Sequence, residues 1–392
     1  MNNQFRPFEF ILPTKIIFGP GKVEQVGREL AVLGSQRPLI VTDKGVIKAG
    51  ILNTVVASIE AMGYEYAVFD DVEPNPKDIN VEKGAIAARK FNADGLVAVG
   101  GGSPIDCAKS IGVLLAHGAE NIKPYEGKAA ATKPQPSFIA IPTTAGTGSE
   151  ITFSSVITDT QNGYKMTIKS PFTAANTAIC DPELTISMPA QLTASTGIDA
   201  LTHAIEGFTA SCSEPLADAA ALHAIELICQ NLTQAVSNPN DLDVRSGMLV
   251  GSILAGIAFS HSDIASVHCI AESLGSMYDL PHGVCNAILL PYVMEYNMDF
   301  CRERYSRVAR AMGFNFESAE EGAKLAVNNV RKLAAEVGLP AFSSFPIDPD
   351  KFGILAGMAV KNISNDSNPR PMAEADYINV LQNAWEHKVC SG

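Results

Sequence analysis

One tryptophan and seven histidines stand in a chain of 392 residues, and charged side chains make up only 18% of it. With 46% hydrophobic residues, so little charge excludes a disordered segment and describes a compact protein. Lysine and arginine total 29 against 42 acidic residues, for a net charge of −13, and they form no basic stripe. Nucleic acid is thereby excluded as a partner, because neutralising phosphates takes clustered cations. The eight cysteines include no CxxC pair and no framework spacing, so they read as buried thiols in a reducing compartment. Met1 to Gly21 has no charged region followed by an apolar core, and no apolar run approaches the ~18 residues of a membrane span. The expectation is a cytoplasmic protein with no membrane partner.

Because histidine is scarce, its placement carries weight. His203 lies four residues after Asp199 in Gly197-Ile-Asp-Ala-Leu-Thr-His203, and His268 and His282 follow close together in the chain. Helical spacing puts Asp199 and His203 on one face, one turn apart, able to reach the same ion. One carboxylate and three imidazoles around a divalent cation leave it a net positive charge, and an open coordination position makes it a Lewis acid. Cys269 adjoins His268, but neighbouring helical positions point about 100° apart, which argues against it as a ligand.

A chain of this length is expected to form two domains. Pro38 to Val41, Tyr66 to Phe69, Leu96 to Val99, Phe138 to Ile141 and Ala178 to Cys180 read as strands buried on both faces. Helix-like segments such as Ile51 to Met62 and Val81 to Phe91 lie between them, the alternation of a parallel sheet. Phe8 to Pro13 also suits a short strand. Beyond about residues 182–190 strands vanish, and helical segments follow: Ala190 to Thr209, Pro215 to Val236, Val244 to Ala258, Ile264 to Met277 and Glu320 to Val337. Asn362 to Glu374 reads as a loop before a last helix. The expected fold is an α/β dinucleotide-binding domain with a parallel sheet over 1–188, then an all-helical domain carrying the metal ligands over 189–392. An active site between the two is the corresponding expectation.

Leu96 to Asp106 reads as a strand, a glycine turn and a helix start. Gly100, Gly101 and Gly102 let the backbone approach a diphosphate, and the helix N-terminus favours its charge. Ser103 is placed to cap that helix, with Pro104 in its first turn. Ile105 stands where the usual dinucleotide fingerprint needs a third glycine. Asp43, just past the strand ending at Val41, can accept from ribose hydroxyls and repel a 2′-phosphate, which favours NAD over NADP; it could equally be a helix cap. Pro142-Thr-Thr-Ala-Gly-Thr-Gly-Ser-Glu150 adds hydroxyls and small residues suited to wrapping a nucleotide.

Gly100 to Asp106, Pro142 to Glu150, Gly197 to Glu206 and Pro281-His-Gly283, in that order, closely resemble the iron-containing (group III) alcohol dehydrogenase family, from about Phe18 to the C-terminus. The resemblance implies NAD(P)-dependent interconversion of alcohols and aldehydes or ketones. It implies metal ligands at Asp199, His203, His268 and His282, with Fe(II) in many members and Zn(II) in some. It implies nicotinamide-cofactor contacts at Asp43, Asn75, Gly102, Ser103, Asp106, Thr143, Thr144, Thr147, Ser149, Lys165 and Leu184. It further implies a small alcohol or aldehyde as substrate and a homodimer or larger homo-oligomer.

One departure stands out. Many members place a second histidine four residues after the third ligand, near the substrate; here that position is Glu272. The candidate catalytic residues are therefore His268, His282 and Glu272. Glu272 could relay the alcohol proton, hydrogen-bond a ligand imidazole or bind a polar substrate group, and the plain alternative is a solvated surface glutamate. Ionised in the pocket, it would disfavour anionic substrates. Phe153, Phe259 and His261 are candidates to line that pocket. Two other readings are a dehydroquinate synthase-like lyase and a non-catalytic metal- or nucleotide-binding protein. The lyase would need several cations around its anionic substrate, and Arg245 is the only lysine or arginine from Ala190 to Pro291.

Overall fold

A computed structural model describes residues 7–386 and divides the chain into two compact units. Of the described residues, one contains 12–144 and 148–188; the other contains 7–11, 145–147 and 189–386. The short segment 145–147 thus belongs with the helical unit although its flanks do not. Cys390 and residues 1–6 lie outside the described residues.

In chain order, the α/β unit runs through β1 (Lys15–Phe18), α1 (Val26–Leu33), β2 (Pro38–Val41), α2 (Lys44–Lys48), α3 (Leu52–Glu60), β3 (Ala67–Phe69) and α4 (Asp78–Phe91). It continues through β4 (Gly95–Gly100), α5 (Gly102–His117), β5 (Gly127–Lys128), β6 (Ser137–Pro142), β7 (Ser154–Asp159), β8 (Tyr164–Lys169) and β9 (Thr177–Cys180). Six strands form one parallel sheet in the order β1-β9-β6-β4-β2-β3. Alternate side chains of each strand feed opposite layers. Leu39, Leu96, Ala98 and Phe138 pack with Val81, Ala85 and Ile111 of α4 and α5. Ile40, Val97, Val99 and Ile139 pack with Val26, Leu30, Val55 and Ile59 of α1 and α3. The chain reverses its winding between β2 and β4, so the carboxyl ends of β2, β4 and β6 open side by side where parallel sheets bind ligands.

Three expectations need correction. Residues 8–13 form no strand; the first strand begins at Lys15. The expectation that strands are buried on both faces fails for β3, an edge strand whose Val68 is exposed. Sequence analysis also left out a second sheet, β5-β8-β7, in which β7 and β8 pair as an antiparallel hairpin. Its turn is set by Asp159, which accepts from the backbone N–H groups of Gln161 and Asn162, and by Gly163 at φ 69°.

The helical unit comprises α6 (Ala190–Thr209), α7 (Pro215–Ser237), α8 (Leu242–Ser262), α9 (Ser266–Tyr278), α10 (His282–Ala311), α11 (Ala319–Glu336), α12 (Phe352–Val360) and α13 (Glu374–Glu386). Helices α6, α7 and α8 pack on one another, and α10 packs on α6, α9 and α11. By length and composition α8 is apolar enough to cross a membrane, contrary to the expectation of no such run. Much of that helix, the Arg245 side chain included, is buried within the protein. Sequence analysis assigned no helix to 282–311, where Pro291 interrupts the pattern inside α10.

The hairpin is tied to the rest of its unit by ions. Lys123 Nζ lies 2.8 Å from Asp159 Oδ1 and 3.4 Å from Asp78 Oδ2. Burial alone would raise the Asp159 carboxyl, but Lys123, Asn162 and two backbone N–H groups bring it down to about 2. A folded-state value below the ordinary 3.8 stabilises the fold above that ordinary value, and the contribution fades as pH falls toward about 2. Asp159→Asn is therefore expected to lower the urea midpoint at pH 7, with a gap to the wild type that holds to about pH 5 and narrows between pH 4 and 3. A gap independent of pH would remove the charged pair as its cause.

Candidate metal centre and nucleotide-binding turns

Asp199 and His203 lie one turn apart on α6, both buried, as their spacing predicts. His268 comes from the first turn of α9, and His282 is the first residue of α10. The helices can approach because residue 283 is glycine: a Cβ there would lie 2.6 Å from the Ser195 carbonyl oxygen and 3.2 Å from Asp199 Cβ. As a result Asp199, His268 and His282 bring one ligand atom each within 4.8 Å of one another.

His203 stands beside this trio. Its ring stacks on His268 at 4.6 Å between centroids, and its Nδ1 lies 4.0 Å from Asp199 Oδ2. That nitrogen is buried and has no hydrogen-bond partner. Burial pushes the imidazole down to about 4, against the pull of Asp199, so the ring is neutral at pH 7. Phe259 stacks on the same ring at 4.4 Å.

Two residues that sequence analysis did not assign complete the arrangement. Glu206 accepts from His268 Nδ1 at 2.5 Å and from the backbone N–H groups of Val267 at 2.7 Å and Ala265 at 3.1 Å. With Nδ1–H donated, His268 turns the lone pair of Nε2 toward the other ligands. Asn286 donates from Nδ2 to Asp199 Oδ1 at 2.7 Å, with His268 Nε2 and His282 Nε2 at 3.0 and 3.2 Å. Its amide is drawn to the lone pairs a cation would use. The donor set therefore fits a divalent ion: one carboxylate, three imidazoles, and an orphaned buried nitrogen among them. Helical spacing was the available signal, since Glu206 falls three residues after His203 and Asn286 four after His282.

Glu272 is 7% exposed, so the solvated-surface alternative fails. Its Oε2 accepts from Asn362 Nδ2 at 2.6 Å. Cys269 is buried and is not among the converging ligand atoms. Of the suggested pocket residues, Phe259 lies at the centre. His261 instead stacks on Phe10 at 3.9 Å and hydrogen-bonds the Ile11 backbone. Phe153 belongs to the α/β unit, where its carbonyl accepts from Ser170 and Thr173.

On the nucleotide side, Gly100 has φ 153°, and a Cβ there would meet Pro104 at 2.5 Å. Helix α5 starts at Gly102, so its N-cap is Gly101 and not Ser103 as expected. Gly101 offers no side chain, which leaves the first N–H groups uncapped for an anion. Asp43 is the N-cap of α2, with Oδ1 accepting from Val46 N at 3.0 Å. Thr143 follows β6 with its N–H bonded to Gly100, and Thr144 packs against Gly101. Asn75, at φ 51°, accepts from Lys165 Nζ at 2.8 Å, so two expected contacts from distant parts of the chain meet. Asp106 accepts from Ser149 Oγ and from Val156 N, which ties both to the turn itself. Leu184 packs into the core with Val46 and Ile141, whereas Thr147 falls in the helical unit.

Residues 13–182 match the family described as iron-containing alcohol dehydrogenase, and residues 193–385 match its C-terminal domain. The 1,3-propanediol dehydrogenase of Citrobacter freundii is 40% identical over 97% of this chain and 100% of its own length. The choline dehydrogenase of Bacillus subtilis is 38% identical, covering 99% of this chain and 95% of its own. A crystal structure of 1,3-propanediol oxidoreductase aligns with a TM-score of 0.94 at 40% identity, covering 97% and 100%. The chain belongs to the iron-containing alcohol dehydrogenase family. It is an oxidoreductase of CH–OH groups that uses NAD(H) and iron. The lyase and non-catalytic readings are set aside with that assignment.

Glu206→Gln is expected to weaken metal binding about 10–100-fold, because the amide cannot accept from three N–H groups at once. Competition against a chromophoric chelator measures it, and an unchanged affinity would show that Glu206 does not orient His268.

Proposed function

We propose that Asp199, His203, His268 and His282 hold the iron and that this centre acts on a small alcohol or aldehyde. The observation that carries the reading is the meeting of the trio with a neutral, buried His203 whose Nδ1 has no other partner. When bound, the ion would supply Lewis acidity at the substrate oxygen, and NAD(H) would supply the hydride chemistry. Glu206 keeps the His268 tautomer fixed during turnover, and Phe259 shields the His203 ring from water.

For the cofactor, the uncapped start of α5 takes the diphosphate, and Lys165 and Asn75 hold each other in place nearby. Asp43 commits Oδ1 to its helix and offers Oδ2 to ribose hydroxyls, which supports NAD over NADP. Thr143, Thr144, Thr147, Ser149 and Leu184 shape the surrounding turns. We further read the protein as cytoplasmic and homo-oligomeric, a dimer or larger, with neither nucleic acid nor membrane as partner. The substrates named for its relatives differ in charge, from neutral 1,3-propanediol to cationic choline.

Chelator-stripped protein is expected to oxidise NADH with short aldehydes only after Fe(II) or Zn(II) is restored under anaerobic conditions. His203→Ala should lose at least ~1,000-fold in turnover while NADH binding, read by fluorescence, stays within about threefold. Full turnover by the stripped variant would defeat the assignment. Asp43→Ser is expected to raise NADPH use relative to NADH by at least ~10-fold, through loss of repulsion at the 2′-phosphate. An unchanged ratio of the two kcat/KM values would place the ribose elsewhere.

A further inference from the structure

Asn286 faces the metal centre with the positive end of its amide. It is fully buried on α10, one turn after His282. Its Nδ2 lies 2.7 Å from Asp199 Oδ1, 3.0 Å from His268 Nε2 and 3.2 Å from His282 Nε2. Two N–H bonds thus meet three lone pairs, so the amide nitrogen cannot satisfy all of them. At the other end of the same amide, Oδ1 is buried and has no hydrogen-bond partner among the described residues. An acceptor buried unpaired is costly and calls for a cause.

The distances supply one. Donor atoms bonded to one ion at about 2.1 Å stand roughly 3.4 Å apart at tetrahedral angles and roughly 3.0 Å apart at right angles. The terminal atom of Asn286 keeps close to the second spacing from three ligand atoms at once. Asp199 Oδ1 and His282 Nε2 are 3.9 Å apart, wider than a tetrahedral edge, which leaves room for a further donor. The His282 side chain is 27% exposed, so the centre opens to solvent on that side. An ion bonded to Asp199, His268 and His282 would meet the Asn286 amide at contact distance. An N–H group turns positive charge toward such an ion, whereas a carboxamide oxygen is an ordinary ligand for one. A half-turn of the planar amide exchanges Nδ2 and Oδ1 with little change of shape. The oxygen–ion contact then offsets the hydrogen bonds given up.

We propose that Asn286 is a fifth metal donor, facing the ion through Oδ1, and that it tips the centre toward iron over zinc. The inference rests on the metal-centred reading above and deepens it by naming what selects the ion. At an ordinary nitrogen and oxygen site zinc binds more tightly than iron, so iron is selected through geometry and donor type. Zn(II) favours four donors in a tetrahedron, and Fe(II) accepts more, oxygens among them. His203 and Asn286 raise the trio to five, and Asn286 is the donor that zinc does not need.

The test measures Fe(II) and Zn(II) dissociation constants of the full-length protein by anaerobic competition with chromophoric chelators. In Asn286→Leu, similar in size but without a donor, Fe(II) affinity is expected to fall about 10–100-fold and Zn(II) affinity by less than about threefold. A residue that only positions Asp199 would weaken both ions alike, so an unchanged ratio of the two constants overturns the proposal and leaves the metal centre standing. Asn286→Asp keeps an oxygen and is expected to bind Fe(II) at least as tightly as the wild type; a loss of about tenfold or more counts against Oδ1 as a donor. Crystals of the iron-loaded wild type decide the point without a variant. Oδ1 within about 2.5 Å of the ion upholds the proposal, and a greater distance overturns it. If His203→Ala and His282→Ala each bind Fe(II) as tightly as the wild type, the metal-centred reading fails and this inference with it.

Discussion

The carboxylate of Glu206 answers to three donors at once. It lies buried on α6 and accepts from the Ala265 and Val267 N–H groups and from the His268 imidazole. Helix α9 has no side-chain cap of its own, so Glu206 serves as its cap from a different helix. One charge thereby starts α9, fixes its register against α6, and selects the tautomer of the ligand in its first turn. An isolated carboxylate this deeply buried would be costly, and three donors offset the cost. Tyr377 braces the same helix start, its hydroxyl donating to Asn365 Oδ1 at 2.6 Å and lying 3.0 Å from Ser266 Oγ. The position of His268 is therefore set twice, from α6 and from α13.

The α/β unit solves a related problem with the opposite charge. Lys109 is fully buried on α5 and donates to Ser149 Oγ, Thr152 Oγ1 and the Ser154 carbonyl. Burial pushes its amine down to about 8, although Asp106 and Glu150 pull the other way. Asp106, one turn earlier, divides its oxygens between Ser149 and Val156. Together they pin the loop after β6 and the start of β7 to the helix that follows the glycine turn. Asp106 and Ser149 thus have a structural task that their place among the expected cofactor contacts did not suggest. What they stabilise is the shape of the turn that precedes the uncapped N-terminus of α5.

Legibility followed the range of the interactions. The parallel strands and most helices of the second half could be read because burial periodicity is local, and β2 matched to the residue. Asp199 and His203 could be read from a four-residue spacing. The β7–β8 hairpin escaped because its faces mix Ser, Thr and Lys with apolar residues, although Asn162-Gly163 is a turn signal. Helix α10 escaped because Pro291 resembles a stop. Ser103 was misplaced as a cap by one local rule, where the helix in fact begins a residue earlier. Glu206 and Asn286 were harder for a deeper reason. Their roles depend on α6, α9 and α10 meeting, and no local pattern says which polar residue on one helix will face which on another.

The same distinction separates the invariable from the adjustable parts of the centre. Glu206 is bound by three donors, two of them backbone, so its replacement disturbs a helix start as well as a ligand. Asp199 is bounded by Asn286 and by the bare flank of Gly283. Glu272 is held by an amide from the segment after α12. A change at Glu272 or Asn362 alters charge and hydrogen bonding one turn from His268 without touching the contacts that Glu206 and Asn286 make. Charge can therefore vary there while those contacts stay intact, and that is the position where this chain departs from the histidine that its resemblance to the family leads one to expect.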